Sequence, residues 1–170
     1  MAVEAGEEGT AAGEPRTGTR WVEVVIEVPR GGFVKRDAAG VVAYVSPLPC
    51  PFNYGAVPGW LGGEGDLLDA VVLGPRLPRG ARVRVPVRAA VSMRDRGLID
   101  DKLICSAVEL GAREHRAVLT FFRFFALCKR ALALVRGQGG ATACLGWCDV
   151  ADAFARASPT GERARRQAPR

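Results

Sequence analysis

Residues 64–75 read EGDLLDAVVLGP and combine a buried strand with acids at its start. The apolar run AVVL is unbroken, which is typical of a strand covered on both faces. Three carboxylates stand before or at the start of this run: Glu64, Asp66 and Asp69. The first two share a face of an extended chain, and Gly65 permits a bend that would bring Asp69 to the same side. The stretch therefore predicts a strand whose entrance carries converging acids.

The segments on either side predict a mostly β fold followed by helices. WVEVVIEVP (21–29) and ARVRVPVRAAVSM (81–93) have strand composition, and a glycine turn after the second predicts a returning strand. Residues 46–60 hold four prolines, which predicts a loop with at most a short strand. Residues 114–136 carry apolar side chains at helical spacing, and Asp149 can cap a short final helix. This order indicates an α+β fold, with a β-barrel or closed sheet and two helices on its flank.

The composition predicts a folded protein of the cytoplasm. The chain has 170 residues, and its hydrophobic content of 48% argues against disorder. No apolar run reaches the roughly 18–20 residues that a membrane span requires. The start of the chain is too acidic for a transit peptide and lacks the apolar block of a secretory signal. Five cysteines, an odd number without an export signal, favour reduced thiols.

Charge and composition divide the chain into three predicted parts. Residues 1–20 are interpreted as a disordered acidic head, residues 21–157 as one folded domain, and residues 158–170 as a disordered basic tail. The tail is either a solvated end or an electrostatic contact for an acidic partner.

Two further acids, Asp95 and Asp100, flank the loop RGLI, and a hairpin there would place them opposite each other. If they met the three acids of residues 64–69, each like-charged pair at about 4 Å would cost roughly 4 kcal/mol at an effective dielectric of about 20. Such a cluster requires cations, and ligands that are all oxygen select hard divalent ions, Mg²⁺ above all. The alternative is that these are ordinary turn acids on solvated loops.

Lysine is rare in this chain, and its positions are informative for that reason. Only three of the 24 basic residues are lysine: Lys35, Lys102 and Lys129. The composition therefore uses arginine wherever a positive charge suffices. A compact ammonium on a flexible stem can reach a phosphate where a planar guanidinium does not fit. The three lysines are accordingly candidate phosphate contacts.

Six blocks of the sequence carry a family resemblance: VVIEVPRGGFVK, PFNYG, GDLLDAVVLGP, MRDRGLIDDKL, FFALCK and LGWCDVADA. They occur in the order found in family I soluble inorganic pyrophosphatases, which the chain resembles over about residues 21–157. The family signature, Asp-x-Asp-Pro-hydrophobic-Asp, is matched here by EGDLLD. The resemblance implies a five-stranded OB-like barrel and a homo-oligomer. It also implies Mg²⁺-dependent hydrolysis of inorganic pyrophosphate to two phosphates, with several Mg²⁺ ions per site activating the attacking water.

The resemblance also implies roles for individual residues. Asp66 resembles the catalytic acid that orients and deprotonates the attacking water. Four positions match metal ligands: Glu64, Asp69, Asp95 and Asp100. Four positions match phosphate contacts: Lys35, Tyr54, Lys102 and Lys129. Glu27 matches a further active-site acid, and Asp37 stands where the family usually has glutamate.

The sequence departs from the family pattern at several of these positions. Glu64 replaces an aspartate of the signature, and Leu67 replaces its proline. A phosphate-binding arginine is expected in the family between Asp37 and Tyr54, but residues 37–75 contain no arginine. Cysteines also stand where two tyrosines are expected, at Cys50 and Cys128.

Three functions stay open at this point. The first is a Mg²⁺-dependent pyrophosphatase, of reduced activity if the missing donors matter. The second is a degenerate paralogue that binds phosphate or a partner without turnover. The third is an OB-like module that binds nucleic acid through RLPRGARVRVPVR (76–88). That basic strand carries no aromatic residue, so a solvated arginine face is favoured there. The predicted partner is thus pyrophosphate, with no nucleic acid and no membrane.

Overall fold

The computed structural model describes residues 19–36, 40–137 and 141–160. Within these residues the chain forms nine strands and two helices. In chain order they are β1 (Trp21–Val28), β2 (Val34–Arg36), β3 (Val42–Val45), β4 (Asn53–Leu61), β5 (Leu67–Val72), β6 (Arg82–Asp95), β7 (Leu98–Cys105), α1 (Ala112–Val135), β8 (Ala143–Cys148), α2 (Val150–Arg156) and β9 (Ser158–Pro159).

Five of the described strands close into a ring. In this ring β1 pairs with β4, β4 with β5, β5 with β7 and β7 with β6, and β6 returns to β1. The pairing of β5 with β7 is parallel, and the other pairings in the ring are antiparallel. Outside the ring β8 pairs with β6, β9 pairs with β4, and β2 pairs with β3. The predicted α+β fold, with a closed five-stranded sheet and flanking helices, is confirmed.

Alternate side chains of the ring strands enter two hydrophobic clusters. One cluster takes the even-numbered residues of β5 and is covered by Phe154 of α2. The other takes Val71 of β5 together with Phe122 of α1, which is almost wholly buried. β5 is therefore covered on both faces, as its unbroken apolar run predicts. Because side chains alternate along a strand, Asp69 faces the same side as Val71, toward α1.

The interpretation of residues 46–60 as mostly loop is wrong, because they contain most of the nine-residue strand β4. Among the four prolines of the segment, only Pro58 falls inside the strand. It lies in the stretch between Val57 and Leu61, where the register with β5 shifts. Proline is tolerated at such an irregularity because its missing N–H removes no bond from the ladder.

The two ends of the chain are described only in part. Residues 1–18 and 161–170, which make up most of the predicted head and tail, lie outside the described residues. Ser158 and Pro159 pair with β4, so the paired chain extends beyond the predicted boundary at residue 157. Asp149 caps α2 as predicted, because its carboxylate accepts the backbone N–H of Ala151 at 2.8 Å. Neither described helix combines the length and apolar character needed to cross a membrane.

Candidate active site

A cavity of about 500 Å³ lies where the ring strands face β2, β3 and α1. Nine of the predicted site residues line it: Lys35, Tyr54, Glu64, Asp66, Asp69, Asp95, Asp100, Lys102 and Lys129. Glu27 is joined to this set through an ion pair with Lys35. Asp37 lies outside the described residues. The fold therefore gathers side chains from segments that are up to about a hundred residues apart in the sequence.

Lys102 is the most buried cation among the described residues of the cavity, with 5% of its surface exposed. The parallel register of β5 and β7 places it beside Asp69, and Asp100 stands two residues before it on β7. Its ammonium group donates hydrogen bonds to both carboxylates. Burial acts to lower the pKa of Lys102, but the negative charge of Asp69, together with that of Asp100, holds this pKa well above its usual value. Asp100 and Lys102 therefore share one face of β7.

A second cation, Lys35 on β2, reaches the same carboxylate from another side. Its Nζ lies 3.0 Å from Glu27 Oε2 and 3.5 Å from Asp69 Oδ1. Burial acts to lower the pKa of Lys35, but these two acids outweigh it and raise this pKa above its usual value. The phenol of Tyr54 lies close enough to Asp69 for the charge of this carboxylate to act on it. Burial first, and then the charge of Asp69, raises the pKa of Tyr54 well above its usual value, so the phenol keeps its proton.

The two carboxylates beside Lys102 differ in their proton affinity. For Asp69, burial acts to raise the pKa, but Lys102 and Lys35 outweigh it and hold the pKa below its usual value. For Asp100, burial is again the largest effect, and the charge of Asp69 adds to it against the opposing charge of Lys102. The pKa of Asp100 is therefore raised. At Asp69 the nearby cations thus outweigh the effect of burial, whereas at Asp100 burial outweighs the nearby cations.

The β6–β7 hairpin brings Asp95 to the cavity in a register that differs from the prediction. Asp95 lies opposite Leu98, whereas Asp100 lies opposite Met93, so the two acids are not directly opposed. The turn consists of Arg96 and Gly97 alone, with φ angles of 48° and 89°, as a tight two-residue hairpin turn requires. The prediction of a four-residue loop is wrong for this reason. The acids still share a face, because they stand at diagonal positions on the paired strands.

Asp95 is held by two side chains from the far end of the chain. Lys129 Nζ donates to its Oδ2 at 2.7 Å, and Thr142 Oγ1 donates to its Oδ1 at 3.0 Å. Burial acts to raise the pKa of Asp95, but these two contacts and the charge of Lys129 lower it overall. The third lysine thus joins the same acidic cavity as the other two.

Glu64 and Asp66 stand in the turn before β5. Gly65 adopts a φ of 94°, which confirms the predicted bend, and the backbone N–H of Gly62 donates to the Asp66 carbonyl at 2.8 Å. Burial, followed by the charges of Asp100 and other nearby acids, raises the pKa of Glu64 to about 7. Asp66 is exposed at the rim of the cavity, and no cation among the described residues forms an ion pair with it.

Comparison with known proteins identifies the family. The profile described as "Inorganic pyrophosphatase" matches residues 24–121, which is more than half of the chain. The chain belongs to the inorganic pyrophosphatase family. The matched segment contains most of the residues that line the cavity, from Val28 to Phe121, and ends before Lys129.

Curated relatives and solved structures of this family agree with the assignment. The chain is 35% identical over 92 residues to an inorganic pyrophosphatase of Gluconobacter oxydans, covering 49% of this chain and 53% of that protein. An inorganic pyrophosphatase of Sulfolobus acidocaldarius matches with the same identity and coverage. These matches span about half the length of the curated relatives. The crystal structure of the Thermus thermophilus inorganic pyrophosphatase matches with a TM-score of 0.64 and 26% identity, over 91% of both chains.

The side chains of this pyrophosphatase-family cavity fit a hard divalent cation by their chemistry. The acids at the predicted metal positions offer only oxygen donors, which Mg²⁺ prefers. As they stand, no three ligand-type side chains among the described residues are grouped closely enough to enclose an ion. The lysines hold three of the acids in ion pairs: Asp69, Asp95 and Asp100. Burial and then the charges of nearby acids raise the pKa of Glu64, and a bound cation would oppose both effects.

The cavity-lining residues of this family member that sequence reasoning missed include Tyr44, Arg136 and Thr142. Tyr44 on β3 lies opposite Lys35 on β2, so the β2–β3 register carries it to the site. Arg136 is the C-cap of α1, at the end of the helical pattern predicted for residues 114–136. Thr142 comes six positions after Arg136, and no motif in the sequence marked it as a site residue. Only the packing of these segments against the ring brings them to the cavity.

Proposed function

We propose that this chain hydrolyses inorganic pyrophosphate to two phosphates and requires Mg²⁺. The observation that carries the proposal is the convergence of all three lysines of an arginine-rich chain on one acidic cavity. A diphosphate is a polyanion, and ammonium groups can reach its oxygens as point charges. Membership of the inorganic pyrophosphatase family supports the same substrate.

Four acids would hold the metal ions: Glu64, Asp69, Asp95 and Asp100. Bound Mg²⁺ would neutralise the oxygens of the diphosphate and lower the pKa of a water near it. Several ions are expected, because a single divalent ion would not compensate both these acids and the substrate.

Asp66 is proposed to accept the proton of the attacking water. Its carboxylate is exposed at the cavity, and no described cation pairs with it, so both of its oxygens are accessible to water. A general base must be able to reach the proton it abstracts, and a group engaged in an ion pair would first have to be released. Among the acids of the cavity, Asp66 therefore suits this role better than Asp69 or Asp95.

The cationic and phenolic groups are proposed to contact the phosphate oxygens. Lys35 and Lys102 hold Asp69 between them, and the Tyr54 phenol lies near the same carboxylate. Phosphate oxygens would compete with that carboxylate for these donors. Because burial and Asp69 keep the Tyr54 phenol protonated, it can donate a hydrogen bond to a developing negative charge.

Phosphate release from inorganic pyrophosphate, measured with and without Mg²⁺, tests the proposal. We expect release that depends on Mg²⁺. The absence of the family's arginine and of two tyrosines favours the second candidate, a protein that binds the diphosphate without cleaving it. Binding of pyrophosphate by calorimetry without any release of phosphate would support that candidate and reject the enzyme.

Mg²⁺ affinity is expected to rise with pH because of Glu64. Below a pKa of about 7 this carboxyl holds a proton that the cation must displace. The apparent affinity should therefore increase by up to about tenfold per pH unit below about pH 7 and level off above it. Calorimetric titration with Mg²⁺ at about pH 6, 7 and 8 measures this. Glu64→Gln should weaken binding and flatten its pH dependence, whereas Glu114→Gln, outside the cavity, should change neither.

Assembly remains a prediction from the family resemblance, and location remains a prediction from the composition of the sequence. We propose a homo-oligomer, for which α1 offers an exposed apolar surface that includes Phe124, Leu127 and Leu134. Light scattering on the purified chain measures its mass in solution, and a monomer would contradict the proposal. The cytoplasmic location is likewise proposed.

A further inference from the structure

The described cations of the cavity fall into two groups. Lys35, Lys102 and Lys129 each form an ion pair with a cavity carboxylate or its neighbour. Arg96 and Arg136 line the same cavity, and neither has a carboxylate partner within 4 Å among the described residues. The charge of Arg96 nevertheless acts on the adjacent Asp95, whose pKa it helps to lower. Arg136 is therefore the cavity-lining cation that is least engaged by acids in the described part of the chain.

The backbone around Arg136 is held in place by the end of α1. The N–H of Arg136 donates to the Leu132 carbonyl at 3.1 Å, and the N–H of Gly137 donates to the Leu134 carbonyl at 3.1 Å. These bonds close the last turn of the helix, so the side chain leaves from a defined position. Leu132 lines the cavity together with Arg136, which places this end of the helix at the cavity wall.

Tyr44 and Lys129 lie at the same end of the cavity as Arg136. Lys129 Nζ lies 5.7 Å from the centre of the Tyr44 ring. Burial is the main cause of the raised pKa of Tyr44, Asp95 adds to it, and the charge of Arg136 opposes it. The phenol of Tyr44 therefore keeps its proton near neutral pH and has a guanidinium in its neighbourhood.

We propose that Arg136 and Tyr44 join Lys129 in a phosphate subsite that replaces the arginine and tyrosine donors missing from the family pattern. The inference rests on the proposed function, because it assigns these side chains to the second phosphoryl group of a diphosphate. A guanidinium forms two parallel hydrogen bonds to a phosphate, and a phenol donates one more. The missing arginine is expected between residues 37 and 54, whereas Arg136 comes from the end of α1. The end of α1 thus supplies the guanidinium that the segment between residues 37 and 54 lacks.

Arg136→Gln and Tyr44→Phe test this subsite. Hydrogen bonds to a charged group imply that Arg136→Gln raises KM for pyrophosphate by about 10- to 100-fold, and Tyr44→Phe by a smaller factor. We expect kcat to change by less than about threefold, because binding of the ground state is lost along with that of the transition state. Arg130→Gln, an exposed arginine of the same helix outside the cavity, is the matched control and should leave both constants unchanged.

Binding of methylenediphosphonate, a diphosphate that cannot be hydrolysed, separates this inference from the proposed function. Calorimetry in the presence of Mg²⁺ should show weaker binding to Arg136→Gln than to the parent chain and to Arg130→Gln. Weaker binding in a chain that releases no phosphate would support the subsite while rejecting the enzyme. Hydrolysis and diphosphonate binding that are both unchanged in Arg136→Gln and in Tyr44→Phe would overturn the subsite and leave the proposed function intact.

Discussion

Asp66→Asn is expected to lower kcat for pyrophosphate hydrolysis by about 10²- to 10⁴-fold, the usual contribution of a general base. The amide keeps the size of the side chain but cannot accept a proton from water. Asp66 is exposed and pairs with no described cation, so the free energy of unfolding should change by less than about 0.5 kcal/mol. Phosphate release under saturating pyrophosphate and Mg²⁺, together with urea unfolding, measures both quantities.

The matched control for this substitution is Asp152→Asn. Asp152 is an exposed acid in the first turn of α2 and does not line the cavity. The Asp152→Asn variant should therefore hydrolyse pyrophosphate at the rate of the parent chain. Equal phosphate release by Asp66→Asn and by the parent chain would reject Asp66 as the base and would direct attention to the other acids of the cavity.

Lys102→Met is expected to lower the free energy of unfolding by about 3–5 kcal/mol, the cost of removing one partner of a buried ion pair. Lys102 is almost fully buried, and its ammonium group is shared by Asp69 and Asp100. Methionine fills a similar volume, so the loss arises from the two carboxylates that remain without their common cation. Urea unfolding in the absence of Mg²⁺ gives the value.

The pH dependence of that loss identifies its cause. Without Lys102 the pKa values of Asp69 and Asp100 in the folded chain should rise above those in the unfolded chain, because burial and mutual repulsion disfavour both charges. The folded state then binds more protons, so the loss is large near about pH 8 and shrinks near about pH 5. Adding Mg²⁺ should also restore part of the stability. A loss that is equal at both pH values and insensitive to Mg²⁺ would instead indicate a packing defect.

The sequence predicted those features of the candidate site that depend on the type of a residue and on its neighbours in the chain. Every lysine of the chain reaches the cavity, and so does each acid at a predicted metal position. Lysine is rare here, so each position was informative without knowledge of the fold. Residues that are common in this chain, such as Arg136, carried no such signal. An arginine at the end of a helix is indistinguishable in sequence from the other arginines of the chain until packing places it against the cavity.

The sequence by itself determined which segments are buried and which residue types the site contains. The apolar run of β5 predicted a strand covered on both faces, because the period of apolar residues is a local property. Only the tertiary structure decided the registers. The two-residue turn between β6 and β7 places Asp100 opposite Met93. The register of β4 with β5 shifts between Val57 and Leu61, and Pro58 is tolerated in β4 for that reason. Registers and cavity walls depend on the pairing of distant segments, and local patterns contain no information about that pairing.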